Sequence, residues 1–152
     1  MKTITSFTEI MDLANQSPLY VRWSRGPAMD QNQGSSRDYV SGGRHNGLSC
    51  QQIPANRPEL AAQMLIEYGF LRRKDAKIYC WVFRATQNGT DSDNAPTVDT
   101  ATIEPVGKLS NEIVEKLSAY KDAYWAHRNR KPKTWAEGQE HLNNYPKLAD
   151  YI

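Results

Sequence analysis

The sequence has no long hydrophobic run, few cysteines and few histidines. Because no apolar stretch approaches the length of a bilayer span, we expect no membrane-spanning helix and no membrane partner. Residues 1–6 lack the apolar segment of a secretory signal, so the expected location is the cytoplasm. The two cysteines, Cys50 and Cys80, are far apart in the sequence and form no Cys-x-x-Cys motif, so both are expected to be thiols.

Motifs for metal binding and for nucleophilic catalysis are also missing. The three histidines, at positions 45, 127 and 141, do not have the spacing of metal ligands. The segment 91–99 is rich in oxygen ligands but lacks the glycine and the distal glutamate of an EF-hand, so we expect a solvated hairpin tip. Its polar residues are Asp91, Asp93, Asn94 and Asp99. The segment 47–51 lacks the second glycine of a nucleophile elbow. We therefore expect no metal and no cofactor.

Length and charge narrow the class of protein only a little. The chain has 152 residues, the size of one domain, and 39% of them are hydrophobic, which is enough for a core. Its 19 Lys and Arg residues against 17 Asp and Glu residues give a formal net charge of +2. A nucleic-acid-binding domain usually has a larger positive excess, so the total charge does not single out such a partner.

Helix and strand patterns alternate along the chain. Capping boxes at Ser6 and Thr134, and a serine at 110, predict the starts of three helices, and Pro58 predicts a fourth. The first helix is predicted to have an apolar face made of Phe7, Ile10, Met11 and Ala14. The second is predicted to have one made of Leu60, Met64, Leu65 and Tyr68, with Gly69 as its C-terminal cap. The apolar residues of the tail at 145–152 are expected to dock on the domain. Apolar and aromatic runs predict a strand at 19–23, a very short one near Leu48, and a central strand at 78–85. We interpret 87–96 as a loop that leads to an antiparallel partner strand at 97–103. The fold class is therefore α+β, a small mixed or antiparallel sheet with about four packed helices in a single domain.

The strongest candidate for a binding site is the strand at 19–23 and the long polar loop that follows it. A compact domain rarely keeps so long a connection without a functional reason. Guanidinium groups, hydroxyls and glycine backbone amides suit a phosphate or a carboxylate. The alternative is that the arginines pair with Asp30 and Asp38 and hold the loop in shape. The predicted ligand-binding residues are Arg22, Ser24, Arg25, Ser36, Arg37, Asp38 and Ser49.

The same segments carry a resemblance to a known family. Tyr-Val-Arg-Trp-Ser-Arg-Gly-Pro at 20–27, Ser-Arg-Asp at 36–38, Ser-Gly at 41–42 and Gly-Leu-Ser at 47–49 resemble the pattern of a small uncharacterised bacterial family of unknown function. The resemblance covers about the first 105 residues. It implies a family-like α+β core at 1–107, followed by a C-terminal helical extension at 108–152, and a shared site without a named chemistry.

The order of these parts is also similar to that of ADP-ribosyltransferases. In that analogy Arg22 binds the phosphates of NAD, Ser24 and Ser49 position its ribose, and Glu104 is the catalytic carboxylate. The sequence departs from that pattern because it has no Ser-Thr-Ser element and no Glu-x-Glu or Gln-x-Glu pair. The analogy concerns layout alone.

A basic cluster follows the third predicted helix. Cations with neighbouring aromatic rings are typical of surfaces that bind single-stranded nucleic acid. The alternative, which we favour, is a solvated loop between helices in which Trp125 and Trp135 are ordinary packing residues. The candidate nucleic-acid-binding residues are Arg128, Arg130, Lys131 and Lys133.

Three functions therefore stay open. The first is a small binding module for an anionic ligand or a macromolecular partner, and a phage or mobile-element inhibitor of host machinery would fit its size. The second is an ADP-ribosyltransferase-like enzyme that uses NAD. The third is a nucleic-acid-binding protein that uses the basic cluster at 127–133.

Overall fold

The computed structural model describes residues 2–24, 39–40, 43–44, 47–66, 79–91 and 94–152, with backbone alone for 39–40 and 43–44. Four helices lie in this part of the chain: α1 (Phe7–Gln16), α2 (Pro58–Ile66), α3 (Asn111–Asn129) and α4 (Trp135–Asn143). The first five strands are β1 (Lys2–Ile4), β2 (Tyr20–Ser24), β3 (Tyr39–Val40), β4 (Gly43–Arg44) and β5 (Gly47–Ser49). The others are β6 (Gln51–Gln52), β7 (Tyr79–Arg84), β8 (Gln87–Thr90), β9 (Pro96–Asp99) and β10 (Glu104–Leu109). These elements confirm the α+β class.

The main sheet has five strands in the order β1-β10-β7-β2-β6. β1 is parallel to β10, and the other neighbours are antiparallel. β7 lies at the centre of this sheet and its residues 80–83 are all buried, as predicted for a strand that is covered on both faces. A second sheet has the order β5-β9-β8, and β3 pairs with β4.

Two hydrophobic cores lie on opposite faces of the main sheet. Because side chains alternate along a strand, Val21 and Trp23 of β2 point to one face and Tyr20 to the other. The larger core joins the first face to α1, α2 and α3. In the smaller core Tyr20 and Phe83 pack with residues of the second sheet, Leu48 and Val98 among them. The main sheet is therefore covered by helices on one side and partly by the second sheet on the other.

The helix starts follow the predicted caps. The hydroxyls of Ser6, Ser110 and Thr134 accept hydrogen bonds from backbone amides three residues later. In α1 the four buried residues are the predicted apolar face, Phe7, Ile10, Met11 and Ala14. The C-terminal tail docks, as expected, through buried Leu148. None of the helices in the described part of the chain is long and apolar enough to span a bilayer.

Three predictions about elements were wrong. Residues 87–90 form β8 instead of a loop. The segment that starts at 97, predicted to pair with β7, begins in β9 of the second sheet, and the antiparallel neighbours of β7 are β10 and β2. In α2 the prediction was wrong for Leu60, which is 39% exposed, whereas Leu65 is buried and Met64 packs against the larger core. The buried face of α2 is Ala61, Ala62, Leu65 and Ile66. The other predicted members, Tyr68 and the Gly69 cap, lie outside the described residues. This helix packs against α3.

Candidate functional site

Three of the predicted ligand-binding residues lie near one another on the face of the main sheet opposite the helices. The register of β2 against β7 pairs Arg22 with Trp81 and Ser24 with Tyr79. Directly opposite residues of antiparallel strands point to the same face. Ser49, at the end of β5, is in contact with Arg22, because Arg22 Nη1 donates to the Ser49 carbonyl oxygen at 2.5 Å. The other four, Arg25, Ser36, Arg37 and Asp38, lie outside the described residues.

Two cations flank Trp81 on this face. Lys108 of β10 is the cross-strand partner of Trp81 on one side, and Arg22 is its partner on the other. Two strand spacings separate their Cα atoms, which is roughly 10 Å. Lys108 Nζ lies 5.5 Å from the centroid of the Tyr79 ring, within the range of a cation–π contact. We call Arg22, Ser24, Tyr79, Trp81 and Lys108 the polar sheet face.

The aromatic side chains of the polar sheet face are held in fixed positions. The rings of Tyr79 and Trp81 stack, with centroids 6.2 Å apart and planes 19° apart. Trp81 Nε1 donates to the hydroxyl of Ser24 at 2.9 Å, and both side chains are buried. Packing and a buried hydrogen bond therefore fix the positions of the two rings.

A hydrogen-bonded chain joins the main sheet to the second sheet. Beyond the contact from Arg22, Ser49 Oγ donates to Asp91 Oδ2 at 2.8 Å. Asp91 Oδ1 accepts from the Ala95 amide at 3.0 Å, and Asp91 is 5% exposed. The expectation of a solvated hairpin tip was therefore wrong for Asp91, whose carboxylate is an internal acceptor. The sequence did not indicate this role, because a lone aspartate near Asn and Gly is typical of an exposed turn.

Both cysteines are buried thiols, as predicted. Burial raises the pKa of the Cys50 thiol to about 12, with Asp91 raising it further and Arg22 opposing the shift. Burial also raises the pKa of Cys80. A thiol with so high a pKa is a poor nucleophile, so Cys50 beside the polar sheet face acts as a packing residue.

Glu104 does not join the polar sheet face. Its cross-strand partner is Arg84 of β7. The cross-strand partner of Arg22 is Trp81, which lies three residues before Arg84 on the same strand. Three residues of strand span roughly 10 Å, and an odd separation puts the side chains on opposite faces. Arg84 donates to the Leu13 and Ser17 carbonyl oxygens at 2.9 and 2.7 Å, on the α1 side of the sheet. An ADP-ribosyltransferase-like mechanism would require Glu104 to face Arg22 and Ser24 across a cleft. In the described part of the fold these residues lie on opposite faces of the main sheet.

The four candidate nucleic-acid-binding residues lie at the end of α3 and in the segment before α4, and all are exposed. Arg128 lies over the Trp125 ring, with its guanidinium carbon 4.8 Å from the centroid. Trp135 was expected to be a packing residue, but its side chain is 80% exposed. A groove of about 350 Å³ lies beyond α4 and is lined by residues of the segment 143–151, none of them a predicted site residue.

Sequence reasoning missed Lys108, Tyr79 and Trp81 as members of the site. Pro105 and Gly107 made the segment 104–109 resemble a loop, whereas β10 accommodates them through a bulge between these two residues. The two apolar residues of this segment, Val106 and the buried Leu109, are a weak signal for a strand. Among the described residues, no three side chains of His, Cys, Asp or Glu come together to hold a metal ion.

A family model described as a family of unknown function (DUF6098) matches residues 1–134 of the chain. The match runs past the expected end near residue 105 and includes α3 and the whole basic cluster. This agrees with the structure, in which Ile113, Leu117 and Tyr120 of α3 belong to the larger core. Neither the comparison with curated proteins nor that with solved structures found a significant match.

Proposed function

The chain belongs to the family of unknown function DUF6098, and we propose that it is a binding module. The polar sheet face would take an anionic group, supplied by a small molecule or by an acidic side chain of a protein partner. The observation that carries this proposal is the flanking of Trp81 by Arg22 and Lys108 on the face opposite the helices.

The chemistry of the residues supports an anionic ligand. Arg22 and Lys108 supply two positive charges, and the Ser24 hydroxyl beside them accepts a hydrogen bond from Trp81 Nε1. Arg22 donates an N–H to the Ser49 carbonyl oxygen, and this hydrogen bond fixes the guanidinium on the polar sheet face. A negative ligand group gains from the two cations, and a planar ligand group gains from contact with the half-buried Tyr79 ring.

The roles of the two cations differ. Arg22 is partly buried and tied to β5, so its substitution affects both folding and binding. Lys108 is held by a weaker contact with the Tyr79 ring, so its substitution tests binding more cleanly. Glu104, on the other face, is not part of the proposed site.

The test is a thermal-shift screen followed by calorimetric titration of each ligand that raises the melting temperature. Pyrophosphate, a nucleoside diphosphate and NAD probe small anions, and a short acidic peptide probes a protein partner. Lys108→Met keeps the apolar stem and removes the charge, and we expect at least a tenfold loss of affinity. Lys116→Met is the matched control, because Lys116 lies on α3 and pairs with Glu112.

Equal affinity of wild type and Lys108→Met would contradict the proposal, as would the absence of any shift across the panel. Binding of NAD that requires the Glu104 carboxylate, tested with Glu104→Gln, would favour the transferase analogy instead.

A further inference from the structure

A second surface lies between the end of α3 and the start of α4. Four cations and one tryptophan stand within eight residues of sequence, and all five are exposed. We call Arg128, Arg130, Lys131, Lys133 and Trp135 the junction surface. Five residue steps separate Arg128 from Lys133, so the Cα atoms of the four basic residues lie within about 18 Å of one another.

Trp135 is the most unusual residue of the junction surface. It is the first residue of α4, and its side chain is 80% exposed. The helix start beneath it is well defined, because Thr134 Oγ accepts from the Glu137 amide at 3.1 Å. A large aromatic ring on a fixed backbone, next to several cations, is a stacking platform for a base.

The ordinary explanation of a basic helix end covers only part of this pattern. Cations in the last turn of a helix are favoured by its dipole, and this accounts for Arg128. It does not account for Lys131 and Lys133, which lie beyond the helix, or for the exposed ring of Trp135. One acidic group lies nearby, since the Glu137 carboxylate accepts from the Lys133 amide at 2.9 Å.

Aromatic contacts hold α4 against the end of α3. The rings of His127 and His141 stack at 3.8 Å with planes 7° apart, and Tyr145 meets His127 edge-on at 4.7 Å. These contacts join the two helices, so the backbone at Arg128 on α3 and at Trp135 on α4 keep fixed relative positions. Every residue of α4 is described and none is buried, which leaves the outer side of this helix to solvent.

We propose that the junction surface binds single-stranded nucleic acid with little sequence preference. The cations would neutralise successive phosphates, and one base would stack on Trp135. Arg128, held over Trp125, supplies a cation whose position is already set. This binding site is separate from the polar sheet face and does not depend on the proposed function.

Fluorescence anisotropy with a labelled oligothymidine or oligouridine of about 12 nucleotides tests the proposal. The logarithm of the association constant should fall with the logarithm of salt concentration with a slope of about −3, because each neutralised phosphate on a single strand contributes about −0.7. Lys131→Ala should make that slope less steep by about 0.7. Similar affinity for the DNA and the RNA oligomer is expected, because neither phosphate neutralisation nor base stacking requires the 2′-hydroxyl.

Trp135→Ala should weaken binding roughly tenfold or more. Trp135→Phe should keep much of the wild-type affinity, because a base also stacks on phenylalanine. Leu142→Ala is the matched control, since Leu142 is on the same helix, is 66% exposed and carries no stacking ring. Circular dichroism checks that each variant keeps its helices. The proposal is overturned if the wild type does not bind at low salt, if Trp135→Ala binds as tightly as wild type, or if polyglutamate competes as well as the oligonucleotide.

Discussion

Removal of the Ser49 hydroxyl tests the hydrogen-bonded chain that joins the two sheets beside the polar sheet face. Ser49 Oγ donates to Asp91 Oδ2 at 2.8 Å, and the Asp91 carboxylate is 5% exposed. Because a hydrogen bond to a charged group contributes about 1.5–3 kcal/mol, we expect Ser49→Ala to lower the free energy of unfolding by about 2 kcal/mol. For a chain of this length, that loss corresponds to a decrease in Tm of roughly 4–8 °C.

Urea denaturation measured by circular dichroism is the assay, and the midpoint should fall without a change in slope. Asp91→Ala and the double variant complete a thermodynamic cycle, in which the two substitutions should be clearly non-additive. Ser17→Ala removes an exposed hydroxyl and serves as control, with an expected change within about 0.5 kcal/mol. If Ser49→Ala changed stability no more than this control, or if the cycle were additive, the hydrogen-bonded chain would not stabilise the fold.

Three other predictions follow from named contacts. The Cys50 thiol, with a pKa of about 12, should resist alkylation by iodoacetamide in the folded protein and react rapidly in urea. Burial and the neighbouring His141 imidazole lower the pKa of His127 below its usual 6.5, so the unfolded state binds more protons than the folded state at acidic pH. The contribution of His127 to the free energy of unfolding, measured by urea denaturation, should be fully present above about pH 6.5 and be lost as the pH falls. Gly107→Ala should lower the unfolding free energy by about 1–3 kcal/mol, because its Cβ would lie 2.4 Å from a carbonyl oxygen of β1. Gly138→Ala, with no atom within 4 Å of the new Cβ, should raise it by about 0.5–1 kcal/mol.

Each of these predictions has a contrary result. Labelling of Cys50 at equal rates in the folded and unfolded states would mean that the thiol is accessible. Stability that does not change between pH 8 and 5, or a pH dependence that persists in His127→Asn, would remove the role of that imidazole. Equal effects of the two glycine substitutions would show that β1 and β10 do not approach as closely as described.

Local patterns predicted the helices well, because their determinants are close in sequence. The hydroxyls of Ser6, Ser110 and Thr134 lie three residues from the amides that they cap. The apolar face of α1 repeats with the period of a helix, and all four of its predicted residues are buried. The central strand β7 was recognisable because nearly every one of its side chains is apolar or aromatic.

The pairing of strands was less predictable, because it depends on residues far apart in the chain. β1 pairs with β10, which lies 105 residues later in the chain. In addition, a strand of three residues is too short to show a detectable pattern of alternation. β10 contains Pro105 and Gly107, which normally indicate a loop, and its bulge is visible only once its partner is known. The wrong partner for β7 followed from treating sequence neighbours as sheet neighbours.

The candidate site was predicted in part for the same reason. Arg22, Ser24 and Ser49 were identified as polar groups next to a strand end, a signal that is local. Lys108 and Trp81 joined them only through the register of three strands. Glu104 was assigned by its order in the chain, and order does not determine the face of a sheet on which a side chain lies.

The most direct test of the central claim is a titration of the isotope-labelled protein with pyrophosphate, followed by NMR. The account predicts that the largest amide shifts fall on Arg22, Ser24, Tyr79 and Lys108, with smaller shifts at Ser49, and that Lys108→Met abolishes them. Shifts confined to the junction surface, or shifts that persist unchanged in Lys108→Met, would contradict the assignment of the polar sheet face as the binding site.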